Sequence, residues 1–218
     1  MERHFDQELG ELKQALLRMA SLAEQSLAQA MKALAQRDNV LAAKVHTDDE
    51  ELDRLQMEID DRSIKLLALR QPIARDLRFI TMAMKLATDL ERIGDQGVNI
   101  AHRAEKLNEE PALKPLVDIP RMAQIAQGMI HDALDAFVYG KPDLARQVIA
   151  RDQELDDINR QLYRELTGFM VEDPDTITRC LNLMRVAHNL ERIGDHATNV
   201  AEEIVYLYEA RDIRHRHE

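Results

Sequence analysis

One stretch of this chain occurs twice. Residues 89–101 (DLERIGDQGVNIA) and 189–201 (NLERIGDHATNVA) agree at eight of thirteen positions, where chance gives about one. A weaker echo pairs Leu41, Ala42, Glu51, Leu52 and Asp53 with Leu144, Ala145, Glu154, Leu155 and Asp156, and Pro72 with Pro174. Matching motifs in the same order, separated by a near-constant interval, require one structural unit built twice.

The unit is helical. Leu9, Leu12, Leu16, Met19, Ala23, Leu27, Ala30 and Leu34 recur at steps of three and four, which is the stripe of an amphipathic helix. A second stripe runs Leu41, Val45, Leu52, Leu55, Ile59, Leu66 and Leu69. Pro72 then fits the first position of a third helix, marked by Ile73, Leu77, Ile80, Met84, Ala87, Leu90, Val98 and Ala101. The segment from Asn108 to Pro115, followed by Pro120, holds three of the six prolines and reads as a linker. Beyond it, Met122, Ile125, Met129, Ala133 and Phe137 mark a fourth helix, closed at Tyr139-Gly140-Lys141-Pro142. Leu144, Val148, Leu155, Ile158, Leu162 and Phe169 mark a fifth, and a sixth runs from about Thr176 to Arg211. Short connections make neighbours antiparallel. The expected fold is all-α: two tandem three-helix bundles related by an internal repeat, over residues 1–110 and 118–218.

Composition agrees. Gly and Pro are scarce, at 7 and 6 of 218 residues, and Trp is absent, so aliphatic side chains must fill the core. A net charge of −11 repels nucleic acid, and no basic patch overrides it. The single cysteine, Cys180, excludes an intramolecular disulfide and reads as a buried, inert thiol. The first residues do not resemble a signal peptide, and no uncharged run approaches the roughly 20 residues of a spanning helix. These features point to the cytoplasm, with membrane contact only through partners.

Repeated Leu and Ile need no explanation beyond packing; repeated acids do. Glu91 and Asp95, Glu191 and Asp195, Asp49 and Asp53, and Asp152 and Asp156 are all i, i+4 pairs. Such pairs project from one helix face, and like charges there cost about 0.2–0.5 kcal/mol. Four of them in a two-fold pattern point to cations between them. If the second and third helices of each half are neighbours, four carboxylates converge on one groove. Oxygen donors suit hard or borderline ions: magnesium, manganese, calcium, iron or zinc. Gly94 and Gly194 stand where the His of a di-iron Glu-x-x-His motif would fall, which argues against oxidase chemistry and for close helix approach or room for ions. Pairing of the acids with Arg is the competing explanation. Arg92 and Arg192, about 100° round the helix from their neighbouring Glu, are poorly placed for it.

Weaker signals are Arg70, Arg75 and Arg78, a partner or anion surface around a helix start, and His215 and His217 in a tail read as frayed and inert. No nucleophile elbow, Gly-rich phosphate loop or Cys/His zinc spacing is present, and no catalytic residue is assigned.

RQPIARDLR at 70–78 and LERIGD at 90–95 and 190–195 closely resemble the PhoU family, accessory proteins of phosphate-specific transport. The resemblance implies two three-helix bundles, often as a homodimer. It also implies a cytoplasmic negative regulator of phosphate-starvation signalling, acting between the ATPase of a phosphate ABC importer and a PhoR-type sensor histidine kinase. It further implies metal clusters on Asp49, Asp53, Glu91 and Asp95, and on Asp152, Asp156, Glu191 and Asp195. Two departures stand out: Asn189 replaces the acid at Asp89, and Glu172-Asp173-Pro174 replaces the Arg-Gln-Pro start. A metal-dependent phosphoester hydrolase and a metal-free helical scaffold are the alternatives.

Overall fold

The computed structural model describes residues 2–113 and 117–214, with the side chains of Glu2 and Arg3 excepted. Six long helices account for nearly all of it: α1 (Glu2–Gln36), α2 (Asn39–Arg70), α3 (Ala74–Asn108), α4 (Asp118–Tyr139), α5 (Pro142–Glu172) and α6 (Ile177–Glu209). No strand occurs among the described residues. Helices α1, α2 and α3 pack on one another as one bundle, and α4, α5 and α6 as a second. The bundles join through α3 against α6, the two helices that carry the repeated motif, with α1 touching α4.

Local chemistry sets the ends. Arg37 adopts φ 56°, which turns the chain after α1. Asp38 then caps α2 by accepting from the backbone N–H groups of Val40 and Leu41 at 2.9 and 3.0 Å. The Arg37 guanidinium donates to the carbonyls of Leu107, Asn108 and Glu110. Those lie at the end of α3, where carbonyls lack helical partners and cations are favoured. Gly140, at φ 63°, ends α4 in the left-handed region, and Pro142 opens α5, where a missing N–H is harmless.

The interior is aliphatic and small. Leu12, Leu16, Met19, Leu27, Ile59, Ile80, Ile93 and Ile100 are essentially inaccessible, with many alanines between them. Cys180 is fully buried, as expected, its thiol facing Thr176 Oγ1 at 3.8 Å. Three details depart from the sequence reading. Pro72 does not open α3: Gln71 turns left-handed at φ 48°, and the helix starts only at Ala74. Leu69, Ile73 and Leu77 extend no buried stripe; they stand exposed at the tip of the α2–α3 hairpin. Pro120 belongs to the first turn of α4, where its lost N–H had no helical acceptor. His215 and His217, like Lys114 and Pro115 of the linker, lie outside the described residues.

Close helix approach is concentrated at three glycines. A Cβ on Gly94 would lie 2.5 Å from Leu52 Cδ1, and one on Gly194 would lie 2.6 Å from Leu155 Cδ2. At Gly97 a Cβ would overlap Ser26 of α1, meeting its Oγ and, at 3.3 Å, its backbone carbon. Backbone cannot swing aside as a side-chain tip can. Gly97→Ala should therefore cost about 1–3 kcal/mol. At Gly168, on an open face of α5 with nothing near, the same change should instead gain about 0.5–1 kcal/mol. Urea unfolding of the two variants measures both signs.

Candidate metal centres

Leu52 and Leu155 seat themselves against the glycines of the facing helices, and this draws α2 onto α3 and α5 onto α6. One turn from those leucines stand the first acids of each half. Asp49 Oδ1 is 3.3 Å from where a Gly94 Cβ would be, and Asp152 Oδ1 is 3.2 Å from the corresponding point at Gly194. Each seam is thus dry on its leucine side and carboxylate-lined on the other.

All eight expected acids are brought together, four to a seam. Asp49 feels the charges of Asp53, Asp95 and Glu91; Asp152 feels those of Asp195, Asp156 and Glu191. Burial first, and then these like charges, push both carboxyls up to about 6. Glu91, Glu191 and Asp195 are raised for the same two reasons in the same order. Two carboxylate oxygens, Glu91 Oε2 and Asp152 Oδ1, are buried without a hydrogen-bond partner. Acids held this way, half out of water and against one another, outnumber the basic groups beside them. An oxygen-only set of this kind fits a hard or borderline cation. The residues that would hold it are Asp49, Asp53, Glu91 and Asp95 in one seam and Asp152, Asp156, Glu191 and Asp195 in the other.

The two seams are not identical. Arg92 was expected to point away from the groove, but its long side chain reaches back. The guanidinium lies 2.9 Å from Asp95 Oδ2 and 3.4 Å from Glu91 Oε2. In the second half the neighbouring base is a histidine: His188 Nδ1 sits 2.9 Å from Glu191 Oε2. Sequence reasoning passed over His188, although its i, i+3 spacing from Glu191 was legible.

The departure at Asp89 also has a structural place. Its carboxylate crosses the bundle interface to His196 Nδ1 at 2.9 Å, and it accepts from Asn199 Nδ2 at 3.2 Å. Nearby, Lys85 pairs with Glu203 at 2.8 Å. By the repeat, Asp89 and His196 correspond to Asn189 and Gln96, both of which are buried. Two buried neutral amides thus stand where the other positions carry a carboxylate and an imidazole in contact. These contacts join α3 to α6, so no motif within either helix could announce them.

The arginines of the second candidate group are not equivalent. Arg70 is already engaged, its Nε and Nη2 donating to Glu8 at 2.8 and 2.9 Å and tying the end of α2 to α1. Arg75 lies over the Tyr208 ring, 5.7 Å from its centroid, while the Arg78 Nε is buried without a hydrogen-bond partner. The three thus have different surroundings.

The PhoU domain family model matches twice, over residues 16–104 and 119–204. The chain belongs to the PhoU family. Each matched span contains one complete carboxylate seam, so the PhoU repeat and the repeat of acids are the same unit. Among similar proteins are the phosphate-specific transport system accessory protein PhoU homologues of Caulobacter vibrioides and Aquifex aeolicus. The first is 43% identical over 203 residues, covering 93% of this chain and 88% of that protein. The second is 42% identical over 210 residues, covering 96% and 95%. The crystal structure of PhoU from Pseudomonas aeruginosa superposes with a TM-score of 0.92 at 38% identity, covering 95% of this chain and all of that one. The phosphate transport system regulatory protein PhoU from Streptococcus pneumoniae gives 0.86 at 29%, covering 96% and 99%. Among the described residues no helix is long and apolar enough to cross a membrane.

The raised carboxyls fix a pH dependence. Asp49 and Asp152 bind a proton more tightly in the folded chain than in the unfolded one, where the carboxyl titrates near 3.8. The cation-free protein should therefore lose stability as pH rises from about 4 to about 7. Below about 4 the opposite trend takes over, because Glu209, held low by Arg146, loses its ion pair on protonation. Replacing both residues by Asn should flatten the upper slope, measured as Tm against pH in chelator.

Proposed function

We propose that this chain is a metal-binding regulatory adaptor of phosphate homeostasis, an accessory protein of a phosphate transport system. Support for the transport role is the run of relatives that bear that name over almost their full length and this chain's. The observation that carries the metal role is the convergence of four acids in each seam, with Asp49 and Asp152 both pushed to about 6. Bound cations would supply positive charge beyond what Arg92 and His188 bring to the seams. The residues themselves then do the rest: the carboxylates of α2 and α5 are held against those of α3 and α6, stiffening each hairpin.

In this reading the protein is a negative regulator of the phosphate-starvation response. It works at the cytoplasmic face as a homodimer, docking the ATPase of a phosphate ABC importer and a PhoR-type sensor histidine kinase. The relay is differential binding: sufficient phosphate favours the complex that restrains the kinase. Exposed Leu69, Ile73 and Leu77 at the α2–α3 tip, with Arg75 beside them, offer an apolar and cationic docking surface. The adaptor reading assigns no catalysis to either seam.

Two measurements test these parts separately. Mn²⁺ at a hundredfold excess over its Kd should stabilise the protein by about 2.7 kcal/mol per site. The gain should vanish when Glu91, Asp95, Glu191 and Asp195 are neutralised to amides. An unchanged melting curve would remove the metal role. In a deletion strain, the wild-type gene should restore phosphate-dependent repression of a starvation reporter, and the amide variant should restore it poorly. Failure of the wild type to repress, or to co-purify with either membrane partner, would remove the adaptor role.

A further inference from the structure

The α2–α3 seam continues past its carboxylates toward the start of α2 and the end of α3. There His46 of α2 meets His102 and Glu105 of α3. Among the described residues these three form a group whose ligand atoms all lie within 4.8 Å of one another. His46 Nε2 is 3.7 Å from Glu105 Oε1, and His102 Nδ1 is 3.6 Å from Glu105 Oε2. The two imidazoles lie in contact, tilted, with centroids 3.9 Å apart and planes inclined by 36°.

Those separations are too long for hydrogen bonds, so the donor atoms lie close together without satisfying one another. His46 Nε2 is buried with no hydrogen-bond partner at all. A ring nitrogen shielded from water and left unpaired has a cost that a metal ion bound to it would remove. We propose that His46, His102 and Glu105 are a separate site for a borderline divalent transition ion, Zn²⁺ above all.

The donor set separates this site from the acid seams. Two imidazole nitrogens and one carboxylate oxygen are a three-ligand zinc set that leaves a fourth position for water or an outside ligand. Oxygen-only clusters favour harder ions. Tetrahedral coordination at about 2.0–2.1 Å places donors roughly 3.4 Å apart. The set must therefore draw in by up to about 1.4 Å of donor spacing. The His102 and Glu105 side chains, 59% and 32% exposed, can rotate to supply that movement. His46, more enclosed at 24%, is the fixed member.

The site belongs to one half only. At the spacings that align the repeats, Ile149, Glu202 and Val205 stand in place of His46, His102 and Glu105. One ion per chain is expected, bound whether or not the acid seams are intact.

The test is a titration of the full-length, chelator-treated protein, labelled with ¹⁵N in its histidine rings, with Zn²⁺ alone. One equivalent should shift the ring nitrogens of His46 and His102 together. It should do so equally in the protein whose Glu91, Asp95, Glu191 and Asp195 are amides, which keeps this proposal independent of the seams. His102→Ala, a change at an exposed position, should abolish the His46 shift and weaken Zn²⁺ binding in the amide background at least tenfold. Ring signals that ignore Zn²⁺, or a His102→Ala protein that binds it unchanged, would overturn the assignment.

Discussion

Everything distinctive about this molecule depends on how closely two helices can lie. A glycine on α3 and its counterpart on α6 accept the tip of a leucine from the facing helix, at a distance no side chain would allow. The seam that results is too tight to stay hydrated on its leucine side, yet its rim carries four carboxylates. Hydrophobic burial closes the seam, and like-charge repulsion resists it. In the bare chain protonation relieves the conflict only below about 6, where burial and repulsion have pushed the Asp49 and Asp152 carboxyls. A cation would resolve it without a proton.

The second organising contact is between the repeats. Helices α3 and α6 each face their own hairpin partner on one side and each other on a second side. Acids that line a seam and acids that cross the bundle interface therefore come from the same short motif. Asp89 reaches His196 while Glu91, two residues on, turns into the seam. This geometry places the two candidate centres on adjoining helices of one continuous core. Glu91 feels the charge of His196 from the other half. That contribution is the smallest at Glu91, after burial and the charges of Asp95, Arg92 and Asp53.

Duplication has preserved the seams and relaxed their surroundings. Arg92 shields one set of acids and His188 the other. A carboxylate–imidazole contact on one side of the interface corresponds to two neutral amides on the other. The histidine pair at the end of the first seam has no counterpart in the second. Two copies of one scaffold thus present similar acid clusters in different electrostatic settings.

The sequence by itself determined the six helices, their pairing into two bundles, and the faces on which the eight acids lie. Those are consequences of the 3.6-residue period and of a repeat long enough to exceed chance. It also marked Gly94 and Gly194 as points of close approach or of room for ions, because glycine inside a helix is costly unless something needs the space. Tertiary structure alone decided what depends on which helices meet and on where long side chains swing. Arg92 folds back over the acids against the expectation from helical angle. Arg70 is taken up by Glu8, some sixty residues distant. Leu69 and Ile73 continue the apolar pattern yet meet no partner. His46 and His102 sit 56 positions apart on different helices. A periodicity records the face a residue occupies, and only packing determines what lies opposite.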